Sequence, residues 1–113
     1  MTHRTFEWKT EDKKVLFAQS WEPEEESKKT ILLVHGLGEN SGRYAHWAKL
    51  FTSRGFNFIG FDLRGHGKSS GIRGHANSLD ILLKDIDLAI LETKKIFEGT
   101  KLVFSKLLTA SSY

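Results

Sequence analysis

Two stretches near the start of the chain, Thr5 to Lys9 and Val15 to Trp21, alternate apolar with polar residues on either side of the charged break Thr10 to Lys14. A period of two predicts half-buried strands, and the short break between them predicts an antiparallel hairpin. Pro23 and the run Glu24 to Lys29 read as an exposed turn. Thr30 to His35, apolar from Ile31 to Val34, has the continuous pattern of a strand covered on both faces. After the segment Gly36 to Gly42, the residues Tyr44, Trp47, Ala48 and Phe51 recur at helical spacing. Gly55 stands where a helix end favours a left-handed residue.

Phe56 to Phe61 is predicted as the next buried strand, followed by the loop Asp62 to Ala76 with four glycines and two histidines. Leu79, Leu82, Leu83, Ile86, Ile90 and Phe97 then form the apolar stripe of a second helix, with Asn77 or Ser78 as its cap and Gly99 as its close. Lys101 to Phe104 begins a third buried strand. A hairpin followed by strand, helix, strand, helix, strand is an α/β plan with a mainly parallel sheet, in which ligands bind at the C-terminal strand ends. Both glycine-rich loops fall at those ends.

With 113 residues the chain holds one core, because burial becomes efficient only with size. The net charge of +3 comes from interleaved signs and forms no basic block, so the charge pattern offers nucleic acid no binding stripe. With no cysteine, disulfides and thiolate metal sites are excluded, and the compartment expected is the cytoplasm. The polar start, Met1 to Lys14, has no apolar signal region. The apolar run Ile31 to Val34 is far below the about 20 residues that cross a bilayer. His3, His35, His46, His66 and His75 have no ligand-like spacing, so no metal and no other cofactor is expected.

The first loop reads His35-Gly36-Leu37-Gly38-Glu39-Asn40-Ser41-Gly42-Arg43-Tyr44. It closely resembles the oxyanion loop of the monoacylglycerol lipase and lysophospholipase family of α/β-hydrolases. Acyl transfer in such enzymes needs a backbone N–H aimed at the oxygen where negative charge develops, and flanking glycines let the main chain approach that oxygen. The resemblance implies that Leu37 supplies the N–H, with His35, Gly36, Gly38 and Glu39 supporting the loop. It also implies a lipid-like ester as substrate, and its fold is the N-terminal part of an α/β-hydrolase.

The second loop, Asp62-Leu63-Arg64-Gly65-His66-Gly67-Lys68-Ser69, is similar to the family's D-x-x-G-x-G-x-S segment, continued by Ser70-Gly71 and Gly74-His75. The family uses it structurally. By that resemblance Asp62, Gly65, His66, Gly67 and Ser69 shape a turn below the active site, with Asp62 and Ser69 bonding backbone groups and His66 packed or capping, not catalytic.

Two rival readings exist. Gly67-Lys68-Ser69 imitates a phosphate-binding loop, but the glycine required five positions earlier is Asp62, whose carboxylate repels phosphate. Gly36-x-Gly38 with Asp62 one strand later imitates a dinucleotide site, yet the third glycine position holds Ser41. A non-catalytic interaction fragment is a third alternative.

An enzyme of this family carries its serine on a sharp G-x-S-x-G elbow after the fifth strand, followed by Asp and His. Here the chain continues Ser105-Lys106-Leu107-Leu108-Thr109-Ala110-Ser111-Ser112-Tyr113, with no glycine after Gly99. The expectation is therefore a partial domain, family-like over 1–104 and unrelated over 105–113, truncated near the fifth strand and lacking nucleophile, acid and base. Unpaired edges and bare apolar faces then lower its stability.

Overall fold

The computed structural model describes residues 1–34, 45–64, 69 and 79–106, with 79 and 104–106 by their backbone. Strands β1 (Thr2–Lys9) and β2 (Val15–Glu22) pair antiparallel in an unbroken register from Thr2 opposite Glu22 to Lys9 opposite Val15. Their turn is built by Thr10. Its carbonyl accepts the Lys13 N–H at 3.0 Å, its hydroxyl accepts the Lys14 N–H at 2.9 Å, and Lys13 takes a left-handed φ of 66° to close the bend.

Three parallel strands follow: β3 (Lys29–Val34), β4 (Phe56–Phe61) and β5 (Lys101–Lys106), in a sheet ordered β1-β2-β4-β3-β5. Helix α1 (Ala45–Ser53) links β3 to β4, and α2 (Leu79–Ile96) lies between β4 and β5. The alternation along β3 shows how the layers form. Ile31 and Leu33 pack with Ala48 of α1 and Phe58, whereas Leu32 and Val34 pack with Ala89 of α2, Phe97, Ile59 and Phe61. Successive side chains of a strand point to opposite faces, so the two helices cover opposite sides of the sheet.

The helix ends follow the glycines. Gly55 (φ 83°) and Gly99 (φ 82°) both take the left-handed conformation that closes a helix without a Cβ penalty. At this end of the sheet a chain of polar groups joins β3 and β4 to the turn between α2 and β5. Asn57 Nδ2 donates to Thr30 Oγ1 at 3.1 Å, Thr30 Oγ1 meets Thr100 Oγ1 at 2.8 Å, and Thr100 Oγ1 reaches the Phe97 carbonyl at 2.8 Å.

Three expectations change. Trp47 is not a core residue: it is 38% exposed, and the buried face of α1 is carried by Ala48 and Thr52. Leu83, counted in the apolar stripe, is 48% exposed, because Asp85, Ala89 and Thr93 take the inner positions of α2. The last strand, Lys101–Lys106, was expected to be buried; among the described residues it is a sheet edge, with Lys101 exposed and Val103 42% exposed. Asn77 and Ser78, read as caps, lie outside the described residues. Among the described residues no helix is long and apolar enough to cross a membrane.

Candidate active site

Val34 and Phe61, the last residues of β3 and β4, are register partners. The two glycine-rich segments therefore leave adjacent parallel strands side by side, about 4.8 Å apart in the pairing direction. From there the chain goes to opposite faces, through residues 35–44 to α1 and through 62–78 to α2. A crevice at the carboxyl ends of strands whose connections diverge in this way is the usual ligand position in α/β sheets. Of the residues singled out from the sequence, His35, Gly36, Leu37, Gly38, Glu39, Gly65, His66 and Gly67 lie outside the described residues. Asp62 and Ser69 lie within them.

Ser69 closes the second loop onto the sheet. Its hydroxyl donates to the Asp62 carbonyl and accepts the Phe17 N–H at 2.8 Å, while the Asp62 N–H donates to the Phe17 carbonyl at 2.8 Å. One buried hydroxyl thus satisfies a strand donor and a loop acceptor that the end of the β2–β4 ladder would leave open. Asp62 is itself buried.

Arg64, which the motif reading passed over, is the electrostatic centre of this region. It is buried, and its guanidinium grips Asp85 on α2 with Nε to Oδ2 at 2.9 Å and Nη2 to Oδ1 at 2.8 Å. On its other side it takes the half-exposed Asp12 of the hairpin turn, through Nη1 to Oδ2 and through Nη2 to Oδ1 at 3.1 Å. The planar fork of arginine allows both carboxylates to be held in parallel pairs. Lysine has no such geometry. Asp85, Ala89 and Thr93 are spaced i, i+4, i+8 along the inner face of α2, and a buried aspartate demands a cation.

Hydrogen bonds from Arg64, and then from Thr10, hold the Asp12 carboxyl well below the usual carboxylate range. Arg64 is pushed above its already high value, first by its bonds to Asp85 and then by those to Asp12. Asp12, Arg64 and Asp85 thus stand in one hydrogen-bonded row from the hairpin turn to α2. They form one wall of a cleft of about 530 Å³ that is also lined by Ile81 and Leu88. Among the described residues no cluster of three or more His, Cys, Asp or Glu side chains could hold a metal ion.

The sheet order, the antiparallel entry and the two helices on opposite faces define the class as the α/β-hydrolase fold. A lipase in its open form superposes with a TM-score of 0.79 at 22% identity, covering 93% of this chain and 36% of the lipase. That likeness shows the fold alone. The chain belongs to the family described as serine aminopeptidase, S33, whose profile matches residues 25–105.

Among curated relatives, an uncharacterized abhydrolase domain-containing protein of Dictyostelium discoideum is 48% identical over 79 residues, 70% of this chain and 8% of the relative. A monoacylglycerol lipase of Mycolicibacterium smegmatis is 37% identical over 65 residues, 58% of this chain and 23% of the lipase. The chain therefore spans less than a quarter of the length of either of these two relatives.

Proposed function

We propose that this chain is the oxyanion-loop portion of a serine carboxylic-ester hydrolase whose substrates are monoacylglycerol-like or lysophospholipid-like esters. In this reading the Leu37 N–H stabilises the acyl oxygen, His35, Gly36, Gly38 and Glu39 shape the loop that presents it, and Asp62, Gly65, His66, Gly67 and Ser69 form the turn beneath. The nucleophilic serine, its acid and its histidine belong to sequence beyond 1–113. Residues 1–104 are then a partial hydrolase domain.

The observation that carries the reading is the adjacency of Val34 and Phe61. It starts the His35–Tyr44 segment beside the Asp62–Ser69 segment at the ligand-binding end of the sheet, in a chain similar to a monoacylglycerol lipase. An oxyanion donor has to sit at that end, since developing charge is stabilised only by a group already in position.

The chain alone has a donor without an attacking group, so it is expected to be inactive. The purified 113-residue chain, assayed with a short-chain p-nitrophenyl ester and a fluorophosphonate probe, should show neither turnover nor a covalently labelled serine. Labelling at Ser105, Ser111 or Ser112 would refute the assignment of the nucleophile to another part of the protein.

A further inference from the structure

The chain after β4 is hydrogen-bonded to the hairpin at Asp62, Arg64 and Ser69. The Asp62 N–H donates to the Phe17 carbonyl at 2.8 Å, the Ser69 hydroxyl accepts the Phe17 N–H at 2.8 Å, and Arg64 donates to Asp12 from Nη1 and Nη2. Ser69 also donates to the Asp62 carbonyl, so the segment leaves β2 and comes back to it at one residue, Phe17. Phe17 is its neck. A neck fixes where a loop is attached and leaves its tilt about that point to other contacts.

Arg64 makes such a contact. It is buried, and the buried Asp85 of α2 already balances its charge through two hydrogen bonds, so Asp12 is not needed to neutralise it. The second carboxylate adds direction. A planar guanidinium gripped by carboxylates of two different elements, the hairpin turn and α2, cannot swivel with either one alone.

Asp12 is itself held in place. Thr10 Oγ1 donates to Asp12 Oδ1, and the same oxygen accepts the Lys14 N–H at 2.9 Å, which ties the carboxylate to the frame of the turn. The turn therefore presents Asp12 to Arg64 in a fixed direction.

We infer that Asp12 is a positioning residue: acting through Arg64, it sets the orientation of the segment after β4 against the hairpin. The placement follows from the hairpin and α2. Its consequence for ester hydrolysis rests on the function proposed above, in which this segment forms the turn beneath the oxyanion loop.

Asp12 and Ser69 hold the segment at different points, and independent contacts contribute additively to stability. If Asp12 sets the orientation in which Ser69 docks, losing Asp12 weakens the Ser69 bonds as well. In urea unfolding of the 113-residue chain, Ser69→Ala should lower the folding equilibrium constant about tenfold on the wild-type background and about twofold or less on an Asp12→Ala background. The amide resonance of Phe17 gives a second readout. In Asp12→Ala it should move part of the way along the line to its position in Ser69→Ala, because the Ser69 hydroxyl then leaves that N–H in a fraction of the molecules.

Equal losses on the two backgrounds would overturn the inference, and so would a Phe17 resonance that stays in place or moves off that line. If the double variant does not fold, the resonance in Asp12→Ala decides. Neither readout involves ester turnover, so failure of the hydrolase reading would leave the result standing.

Discussion

The hydroxyl of Ser69 is hydrogen-bonded to the N–H of Phe17, 52 positions earlier, at 2.8 Å, and in the same position it donates to the Asp62 carbonyl. Ser69 thereby ties the loop after β4 to the hairpin, alongside the Arg64–Asp12 pair. Replacing Ser69 with alanine removes both of these hydrogen bonds at once, at a cost of about 1–3 kcal/mol. Urea unfolding followed through the buried Trp8 and Trp21 should show that loss as a lower midpoint. An unchanged midpoint would mean that the loop is held by other contacts.

Arg64 is expected to behave as a buried charge, not as a surface one. Arg64→Met abandons the carboxylate of Asp85, which is buried on α2, and should remove about 3–5 kcal/mol. The double variant Arg64→Met/Asp85→Leu should recover most of that, because no uncompensated charge stays inside. Denaturation midpoints of the two single variants and the double variant form the required cycle. Additive losses would show that the two groups are not coupled.

Acid should release the hairpin turn. The Asp12 carboxyl is depressed in the folded chain by its bonds to Arg64 and Thr10. Its stabilising effect is therefore fully present above the unfolded value of about 3.9 and fades as pH falls through the lower folded value. Asp12→Asn should be less stable than the wild type at neutral pH and should converge with it in strong acid. Half-exposure of Asp12 makes the effect sensitive to salt. Parallel pH profiles for the two proteins would contradict this.

Two aromatic residues distinguish core from surface. Phe58 is fully buried between Phe51, 5.4 Å away by ring centroids, and Trp21 at 5.8 Å. Phe58→Ala should cost about 3–5 kcal/mol. Trp47→Ala, by contrast, should stay within about 0.5 kcal/mol of wild type, as exposed positions do. Thermal or urea unfolding of both variants gives the comparison, and equal losses would return Trp47 to the core.

The sequence made the sheet legible because strand and helix periods differ sharply. Thr5 to Lys9 and Val15 to Trp21 could alternate only as a half-exposed hairpin, and the run from Ile31 to Val34 only as a strand buried on both faces. Gly55 and Gly99 marked helix ends because a left-handed residue is needed there. Trp47 and Leu83 misled because helical spacing locates a face only to within a broad arc, and the inner positions of α2 were taken by Asp85 and Thr93.

Those two are polar residues that periodicity counts as outside. Asp85 is buried because Arg64 reaches it from a loop 21 positions earlier, a pairing made in space with no local pattern. The family motifs directed attention to glycines and histidines instead. Leu37 and its neighbours came from resemblance, since a single turn of main chain leaves no periodic trace.

The most direct measurement concerns the N–H of Leu37. In a chimera where the matching segment of this chain replaces its counterpart in the M. smegmatis monoacylglycerol lipase, Leu37→Pro deletes one hydrogen-bond donor. Monoacylglycerol hydrolysis and fluorophosphonate labelling would be followed together with KM. The Leu37 chimera should turn over substrate, and the proline variant should lose about 10²- to 10³-fold in kcat, with KM little changed. A proline variant as fast as its parent, folded and labelled to the same extent, would contradict it.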